Sequence, residues 1–136
     1  MRRKSYLANR KQAVSYQNVL SDLDQLSTGV PQGSILGLLL FILFINDLSR
    51  SVKSSSILMY ADDAMVFHAA KDVSSINATL SLELDSVNNW MRQNGLIMHK
   101  AKTECVLFGS SNKLSKTGNF SVCVEGHVLK TVTEFK

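Results

Sequence analysis

The stretch Met59-Tyr60-Ala61-Asp62-Asp63-Ala64 joins two short apolar runs through a pair of adjacent carboxylates. Residues 57–59 precede the turn and residues 65–67 follow it, and each run has the length and the β-branched or aromatic content of a short strand. The Ala-Asp-Asp segment between them is typical of a turn. We therefore predict a β-hairpin with Asp62 and Asp63 at its tip.

The paired carboxylates have two interpretations. Adjacent carboxylates repel each other unless they are solvated or bound to a cation, and hard divalent ions such as Mg²⁺ prefer oxygen ligands. An Asp-Asp pair in a turn is more commonly just a solvated turn, so Asp62 and Asp63 taken alone leave both readings open. Evidence for a metal site has to come from the neighbouring segments.

The composition is that of a packed chain with an uneven charge. The 136 residues are 45% hydrophobic and 19% charged, which suits one domain or part of a larger one. Residues 1–21 hold five basic side chains and no acidic one, although the whole chain carries only +4. Such a basic arm suits contacts with a phosphate backbone, and a solvated surface would have the same composition. The five residues are Arg2, Arg3, Lys4, Arg10 and Lys11.

The cysteines and histidines predict neither a disulfide framework nor a zinc site. Cys105 and Cys123 are the only cysteines and do not form a C-x-x-C pair, and the three histidines lack zinc-ligand spacing. Lone thiols of this kind fit reduced packing residues, so we expect an intracellular protein, nuclear or cytoplasmic. We also expect no signal peptide, since no apolar segment follows the basic N-terminus.

A rigid loop followed by an apolar helix precedes the carboxylate hairpin. Residues 29–34 contain two glycines and the only proline, and Ser34 is a suitable helix N-cap. Residues 35–45 contain no polar side chain. A membrane span needs about 20 apolar residues, so we expect no membrane partner and a helix buried in the core. A buried strand is the alternative, which the length of the run disfavours.

A second helix is predicted by apolar residues at steps of three and four between positions 73 and 91. Asp72 can cap its start, and Asn94-Gly95 fit its end. Leu82 falls opposite the apolar stripe. The stripe consists of Val73, Ile76, Leu80, Leu84, Val87 and Met91.

The remaining segments predict strands. A hairpin within residues 12–28, with Gln17-Asn18 at its turn, is one expectation. Further short strands are expected at 96–98, 104–108, 120–124 and 127–129, with a polar linker between Gly109 and Asn119. The fold class is therefore α+β, an antiparallel sheet with a buried apolar helix and an amphipathic helix packed on it.

Several blocks of the chain, taken in order, resemble a known family. They are Gly29–Ser34, Ile45-Asn46-Asp47-Leu48, Tyr60-Ala61-Asp62-Asp63, Asn89-Trp90, Asn94-Gly95-Leu96, Lys102-Thr103-Glu104 and Phe108-Gly109. Their order and spacing resemble consecutive blocks of the palm of a reverse transcriptase, an RNA-directed DNA polymerase. The stretch from Tyr6 to Val14 resembles the segment that precedes the first block in non-LTR (LINE-type) retrotransposon enzymes. The resemblance spans nearly all of residues 1–136.

The resemblance implies DNA synthesis on an RNA or DNA template with a primer and deoxynucleoside triphosphates. The family transfers nucleotides with two Mg²⁺ or Mn²⁺ ions. By resemblance, Asp62 is the principal metal ligand and Asp63 supports it. Tyr60 lies beside the primer end, and Gln32-Gly33 lie along the incoming nucleotide and template. Lys102 matches a lysine that stabilises or protonates the departing pyrophosphate, although a solvated lysine at a strand edge is the commoner fate.

Three departures from the family pattern set a second expectation. Leu38 stands where the family usually has proline, and His99 stands where it usually has asparagine. The family's first metal carboxylate comes from an upstream strand, and this sequence has no acidic residue before Asp22. We therefore expect a partial palm without fingers, first catalytic strand or thumb, catalytically incomplete as an isolated chain. The alternative is a non-catalytic retrotransposon remnant that binds nucleic acid weakly through the basic arm.

Overall fold

The computed structural model describes residues 7–31, 33–61 and 63–134, and the chain divides into two compact units. The units are Met1–Ile45 and Asn46–Lys136. Helices and short sheets occur together, so the predicted α+β class is confirmed. Within the described ranges, no helix combines the length and the apolar character needed to cross a membrane.

The first unit begins with two nested strand pairs. Strand β1 (Arg10–Gln12) pairs antiparallel with β4 (Asp24–Leu26), and β2 (Ser15–Tyr16) pairs antiparallel with β3 (Val19–Leu20). Gln17 and Asn18 form the inner turn with φ of 48° and 63°. Two-residue hairpin loops favour positive φ because the backbone twist of such a turn matches the twist of the flanking strands. The predicted hairpin and its turn are therefore confirmed.

Helix α1 (Ile35–Ile45) covers the apolar run as predicted. The hydroxyl of Ser34 accepts a hydrogen bond of 2.9 Å from the Gly37 N–H, which confirms the predicted cap. Gly37 also permits the loop to lie against the first turn of the helix. A Cβ added there would be 2.8 Å from the Ser34 hydroxyl oxygen and 3.1 Å from the Pro31 carbonyl oxygen.

The predicted burial of this helix is wrong for the described chain. Gly37 is its buried residue, whereas Ile35 is 92% exposed, and Leu38 and Leu43 are exposed as well. The strands of the first unit are two or three residues long and mostly exposed, so they provide no apolar layer to cover α1. A helix that is apolar on every face needs such layers on several sides.

The second unit is built around a long helix and the carboxylate hairpin. A short 3₁₀ helix (Leu48–Ser51) leads to β5 (Ser56–Tyr60), which pairs antiparallel with β6 (Asp63–Phe67). Helix α2 (Val73–Gln93) follows, and the Asp72 carboxylate caps it by accepting a 2.8 Å bond from the Ser75 N–H. Gly95 has a φ of 72° just after its end. The hairpin, the helix and both of its predicted ends are confirmed.

The core lies on one face of α2. Leu84, Val122, Val124 and Leu129 form the buried cluster, and Val122 and Val124 are 0% exposed. Partly buried apolar side chains from the hairpin and from the rest of the unit pack around them; these are Val66, Leu80, Met98, Cys105 and Phe120. Leu82, which the periodicity places opposite the stripe, is exposed. The amphipathic helix therefore packs on the sheets as predicted.

A row of polar side chains on α2 bonds to the backbone of residues 119–125. Asn77 accepts from the Ser121 N–H at 3.2 Å and donates to the Asn119 carbonyl at 3.0 Å. Ser81 accepts from Cys123 N–H at 3.0 Å, and Asp85 accepts from Glu125 N–H at 2.8 Å. Four residues of helix rise about 6 Å, and two residues of strand rise about 6.6 Å. The two spacings match, so helix side chains satisfy N–H groups that a neighbouring strand would otherwise bind.

The last third contains less strand than expected. Strand β7 is limited to Glu104–Cys105, β8 (Cys123–Val124) pairs with β9 (His127–Val128), and residues 96–98 are not a strand. The polar linker contains a four-residue helix, α3 (Ser111–Leu114). Strand β10 (Lys130–Thr131) pairs parallel with β7. The described strands thus form five separate pairs rather than one antiparallel sheet.

Candidate functional site

The carboxylate turn is the tip of a regular five-residue hairpin. Its register pairs Tyr60 with Asp63, so the connection between the strands is two residues long. Ala61 has a φ of 53°. The left-handed region costs a non-glycine residue roughly 1–2 kcal/mol, and a two-residue connection between twisted strands favours it. The strain at Ala61 is therefore the local cost of so tight a turn.

The register places Tyr60 and Asp63 side by side on one face of the hairpin. Side chains of directly paired residues share a face, with Cβ atoms about 4.5–5.5 Å apart. Tyr60 is 84% exposed, and Asp63 is exposed too. Leu58, Met65 and Phe67 lie along the same exposed face, whereas Ile57 and Val66 on the other face are half-buried. The outer face thus presents a phenol and a carboxylate to solvent above an apolar strip.

The other expected site residues are placed as follows. Asp62 and Gln32 lie outside the described residues. Gly33 belongs to the first unit and has a φ of 76°, which suits the loop predicted for residues 29–34. Lys102 is exposed in the turn before β7, where its N–H donates to the His99 carbonyl at 2.9 Å. The structure therefore brings together Tyr60 and Asp63 of the expected set.

Lys102 borders an open cleft in the second unit. The cleft is lined by Lys102, Glu104 and Lys130, together with residues 131–134. The Lys130 ammonium lies 2.6 Å from a Glu104 carboxylate oxygen, so these two charges are paired. A cationic side chain in this position can neutralise a phosphate charge. The surroundings of Lys102 are also those of a solvated surface lysine.

The described residues do not form a complete metal site. Across residues 7–31, 33–61 and 63–134, no group of three or more His, Cys, Asp or Glu side chains is suited to hold a metal ion. Asp63 contributes one exposed carboxylate, and hard cations of the Mg²⁺ type need several oxygen ligands. The donor set of the described hairpin is therefore too small for Mg²⁺ or Mn²⁺ by itself.

One residue of the basic arm, Arg10, makes hydrogen bonds within the folded chain. Arg2, Arg3 and Lys4 lie outside the described residues, whereas Arg10 is described. Its guanidinium donates to the Leu7 carbonyl at 3.2 Å, to the Thr28 carbonyl at 3.1 Å and to the Gly29 carbonyl. These bonds tie β1 to the start of the glycine loop. Arg10 therefore has a structural role within the first unit. The charge count of the sequence did not reveal this role.

Several pKa shifts in the second unit have structural causes. Bonds from the Ser75 backbone N–H and hydroxyl lower the pKa of Asp72. Bonds from Lys100 and then Arg92 lower the pKa of Glu125, and burial raises the pKa of the Cys105 thiol. Cys105 and Cys123 are both free. Asp72 caps α2, and Glu125 lies in the turn between β8 and β9.

Sequence reasoning missed Glu83, which is 6% exposed on α2 and accepts backbone hydrogen bonds from Lys53 and Ser54. A signal for it was present. Glu83 falls three residues after Leu80 and one before Leu84, inside the apolar stripe, where a charge is costly unless it has partners.

Comparison with known proteins identifies the family. A family model described as reverse transcriptase (RNA-dependent DNA polymerase) matches residues 4–134. The "RNA-directed DNA polymerase from mobile element jockey" of Drosophila melanogaster is 29% identical over 114 residues, which cover 79% of this chain and 12% of that protein. The "Probable RNA-directed DNA polymerase from transposon X-element" of the same organism is 36% identical over 72 residues, covering 50% of this chain and 8% of that protein.

The chain thus corresponds to about a tenth of the length of these curated relatives. No solved structure matches it.

Proposed function

Because the chain belongs to the reverse transcriptase (RNA-dependent DNA polymerase) family, we propose that it is a palm segment of a retrotransposon polymerase, with the Asp62-Asp63 turn in the catalytic site. Its relatives are polymerases of mobile elements, in agreement with the resemblance to non-LTR enzymes. The substrates proposed for the polymerase are a primed RNA or DNA template and deoxynucleoside triphosphates.

The hairpin register is the observation that supports this proposal most directly. Tyr60 and Asp63 are paired and exposed at the tip of β5 and β6, and Asp62 directly precedes Asp63 in the sequence. A carboxylate at the exposed tip of a hairpin can approach a bound nucleic acid, whereas a carboxylate buried in the protein cannot. Tyr60 would pack beside the primer end, and Gln32-Gly33 would line the nucleotide path.

The proposal assigns the turn part of a metal site. Asp62 and Asp63 would supply oxygen ligands for Mg²⁺ or Mn²⁺, and a further carboxylate would come from a polymerase segment outside these 136 residues. Lys102, on its exposed turn, would stabilise or protonate the departing pyrophosphate. The 136-residue chain would by itself be catalytically incomplete.

The decisive test is primer extension by a longer polymerase that contains these residues, with and without Asp62→Ala. Removing a metal-ligating carboxylate eliminates transition-state stabilisation, so we expect extension to fall by about 10³-fold or more. Asp22→Asn removes one carboxylate charge from an exposed loop position and is the matched control, with activity expected to be unchanged. Equal extension by wild type and Asp62→Ala would refute the assigned role.

The same assay applied to the 136-residue chain tests its incompleteness, since extension by that chain alone would contradict it. The alternative function is weak, salt-sensitive binding of nucleic acid through the basic arm. Arg10 supports it poorly, because its guanidinium already bonds to three backbone carbonyls. Binding that persists without any Asp62-dependent extension in the longer protein would favour this alternative.

A further inference from the structure

A buried carboxylate holds the base of the hairpin that carries the proposed catalytic turn. Glu83 is 6% exposed and lies on the face of α2 that also buries Leu84 and Val87. A buried carboxylate costs free energy unless its oxygens are hydrogen-bonded. The partners of Glu83 therefore indicate what it does.

Those partners are two successive backbone N–H groups. One carboxylate oxygen of Glu83 accepts from the Ser54 N–H at 2.6 Å and from the Lys53 N–H at 3.1 Å. The other oxygen accepts from the Lys53 N–H at 2.9 Å. Hydrogen bonds to a charged acceptor are roughly twice as strong as neutral ones. Glu83 thus fixes the chain two residues before β5 begins.

The second strand is held at the same residue, Ser54. His68 directly follows β6, and its Nδ1 lies 3.0 Å from the Ser54 carbonyl oxygen. A carbonyl can only accept, so His68 Nδ1 carries the proton in this bond. The N–H of Ser54 is held by α2 and its carbonyl is held by His68. The start of β5 and the end of β6 are therefore both held through Ser54.

We propose that Glu83 is a positioning residue for the Asp62-Asp63 turn, an inference that rests on the proposed function. It acts through Ser54 and His68 and does not touch the turn. The tip lies roughly 20 Å from Ser54 along β5, so a rotation of about 3° at the base moves it by roughly 1 Å. A displacement of that size near a reacting centre can cost about 100-fold in rate.

The first test measures amide hydrogen exchange in the 136-residue chain carrying Glu83→Gln. Glutamine keeps the size of the side chain but replaces one acceptor oxygen with an NH₂ group that cannot accept from Lys53. We expect exchange at Lys53, Ser54 and the hairpin amides to accelerate at least about tenfold, and exchange at Leu84 to change less than about threefold.

Glu125→Gln is the matched control, because it removes a carboxylate that pairs with Arg92 and Lys100 at the surface. Exposed ion pairs contribute little, so hairpin exchange should stay at the wild-type rate. Uniform acceleration throughout the second unit would show that Glu83 only stabilises the fold. Unchanged exchange at Lys53 and Ser54 would likewise overturn the proposal.

The second test measures single-nucleotide incorporation by the longer polymerase under single-turnover conditions. Misplacement of the turn lowers the rate per active enzyme, whereas loss of folded protein lowers the amplitude. For Glu83→Gln we expect a rate about 10- to 100-fold lower, with the amplitude and the nucleotide affinity retained. A reduced amplitude at an unchanged rate would overturn the positioning role.

A second variant tests the proposal even if the Glu83→Gln protein does not fold. His68→Ala removes the hydrogen bond that holds the end of β6, at a half-buried position outside the core cluster. Amide exchange in the hairpin should accelerate in this variant as well, but less than in Glu83→Gln. Wild-type hairpin exchange in His68→Ala would contradict the proposal. If the longer polymerase shows no Asp62-dependent extension, the proposed function fails, while the exchange experiment still decides whether Glu83 holds the hairpin.

Discussion

At the scale of single residues, the valines of the second unit differ in how completely they are buried. Val122 and Val124 are completely buried against Leu84 and Leu129, whereas Val128 on the neighbouring strand is exposed. Burying a valine side chain contributes roughly 1.5–3 kcal/mol. Two valines only six residues apart therefore contribute very differently to the stability of the fold.

Val122→Ala should lower the free energy of unfolding of the second unit by about 2 kcal/mol, because it removes two buried methyl groups and leaves a cavity. The measurement is urea unfolding followed by the fluorescence of Trp90, the single tryptophan of the chain. Val128→Ala is the matched control, and its change should stay within about 0.5 kcal/mol. Equal losses for the two variants would contradict the described core.

At the scale of elements, α2 takes the place of a neighbouring strand. Asn77, Ser81 and Asp85, spaced four residues apart, bind successive N–H groups of residues 121–125. An unpaired strand edge is a template for association with another chain. The polar row binds these N–H groups, so they are not available to pair with another strand.

Ser81→Ala should destabilise the second unit by about 1–2 kcal/mol, because the Cys123 N–H loses its acceptor in a partly buried position. Exchange of the Cys123 amide should accelerate at the same time. Ser86→Ala on the same helix is the control. Its exposed hydroxyl bonds only back to the Leu82 carbonyl, and alanine favours helix by up to about 0.5 kcal/mol. A loss as large for Ser86→Ala as for Ser81→Ala would disprove the role of the row.

At the scale of the whole molecule, the two units differ in what they bury. The described core cluster lies within Asn46–Lys136, whereas α1 in Met1–Ile45 exposes most of its apolar side chains. Amide protection follows the free energy of local or global opening. Helix α1 should therefore open more readily than α2.

Hydrogen exchange of the intact chain tests this expectation. Amides of Leu84 and Val87 in α2 should be protected at least about tenfold more than those of Leu39 and Ile42 in α1, since α1 has little buried surface to lose on opening. Equal protection of both helices would mean that the chain unfolds as one cooperative unit.

The local elements and the family could be predicted from the amino-acid sequence alone. Two short apolar runs around a turn predicted the hairpin at Asp62-Asp63, an unbroken apolar run predicted α1, and apolar residues at steps of three and four predicted α2. The caps were predicted as well, because local propensity and capping depend on neighbouring residues. The ordered blocks predicted the reverse transcriptase family. Short strands in the last third were overestimated, since pairing partners and not β-propensity decide their length.

Tertiary structure alone decided which charges are structural and which apolar surfaces are covered. Glu83 and Arg10 are charged residues in the sequence, yet each is committed to backbone groups 18 to 30 residues away. Helix α1 has the composition of a buried element and is exposed, because burial depends on what the rest of the fold places against it. Such long-range pairings leave no periodic signal, so only the folded chain reveals them.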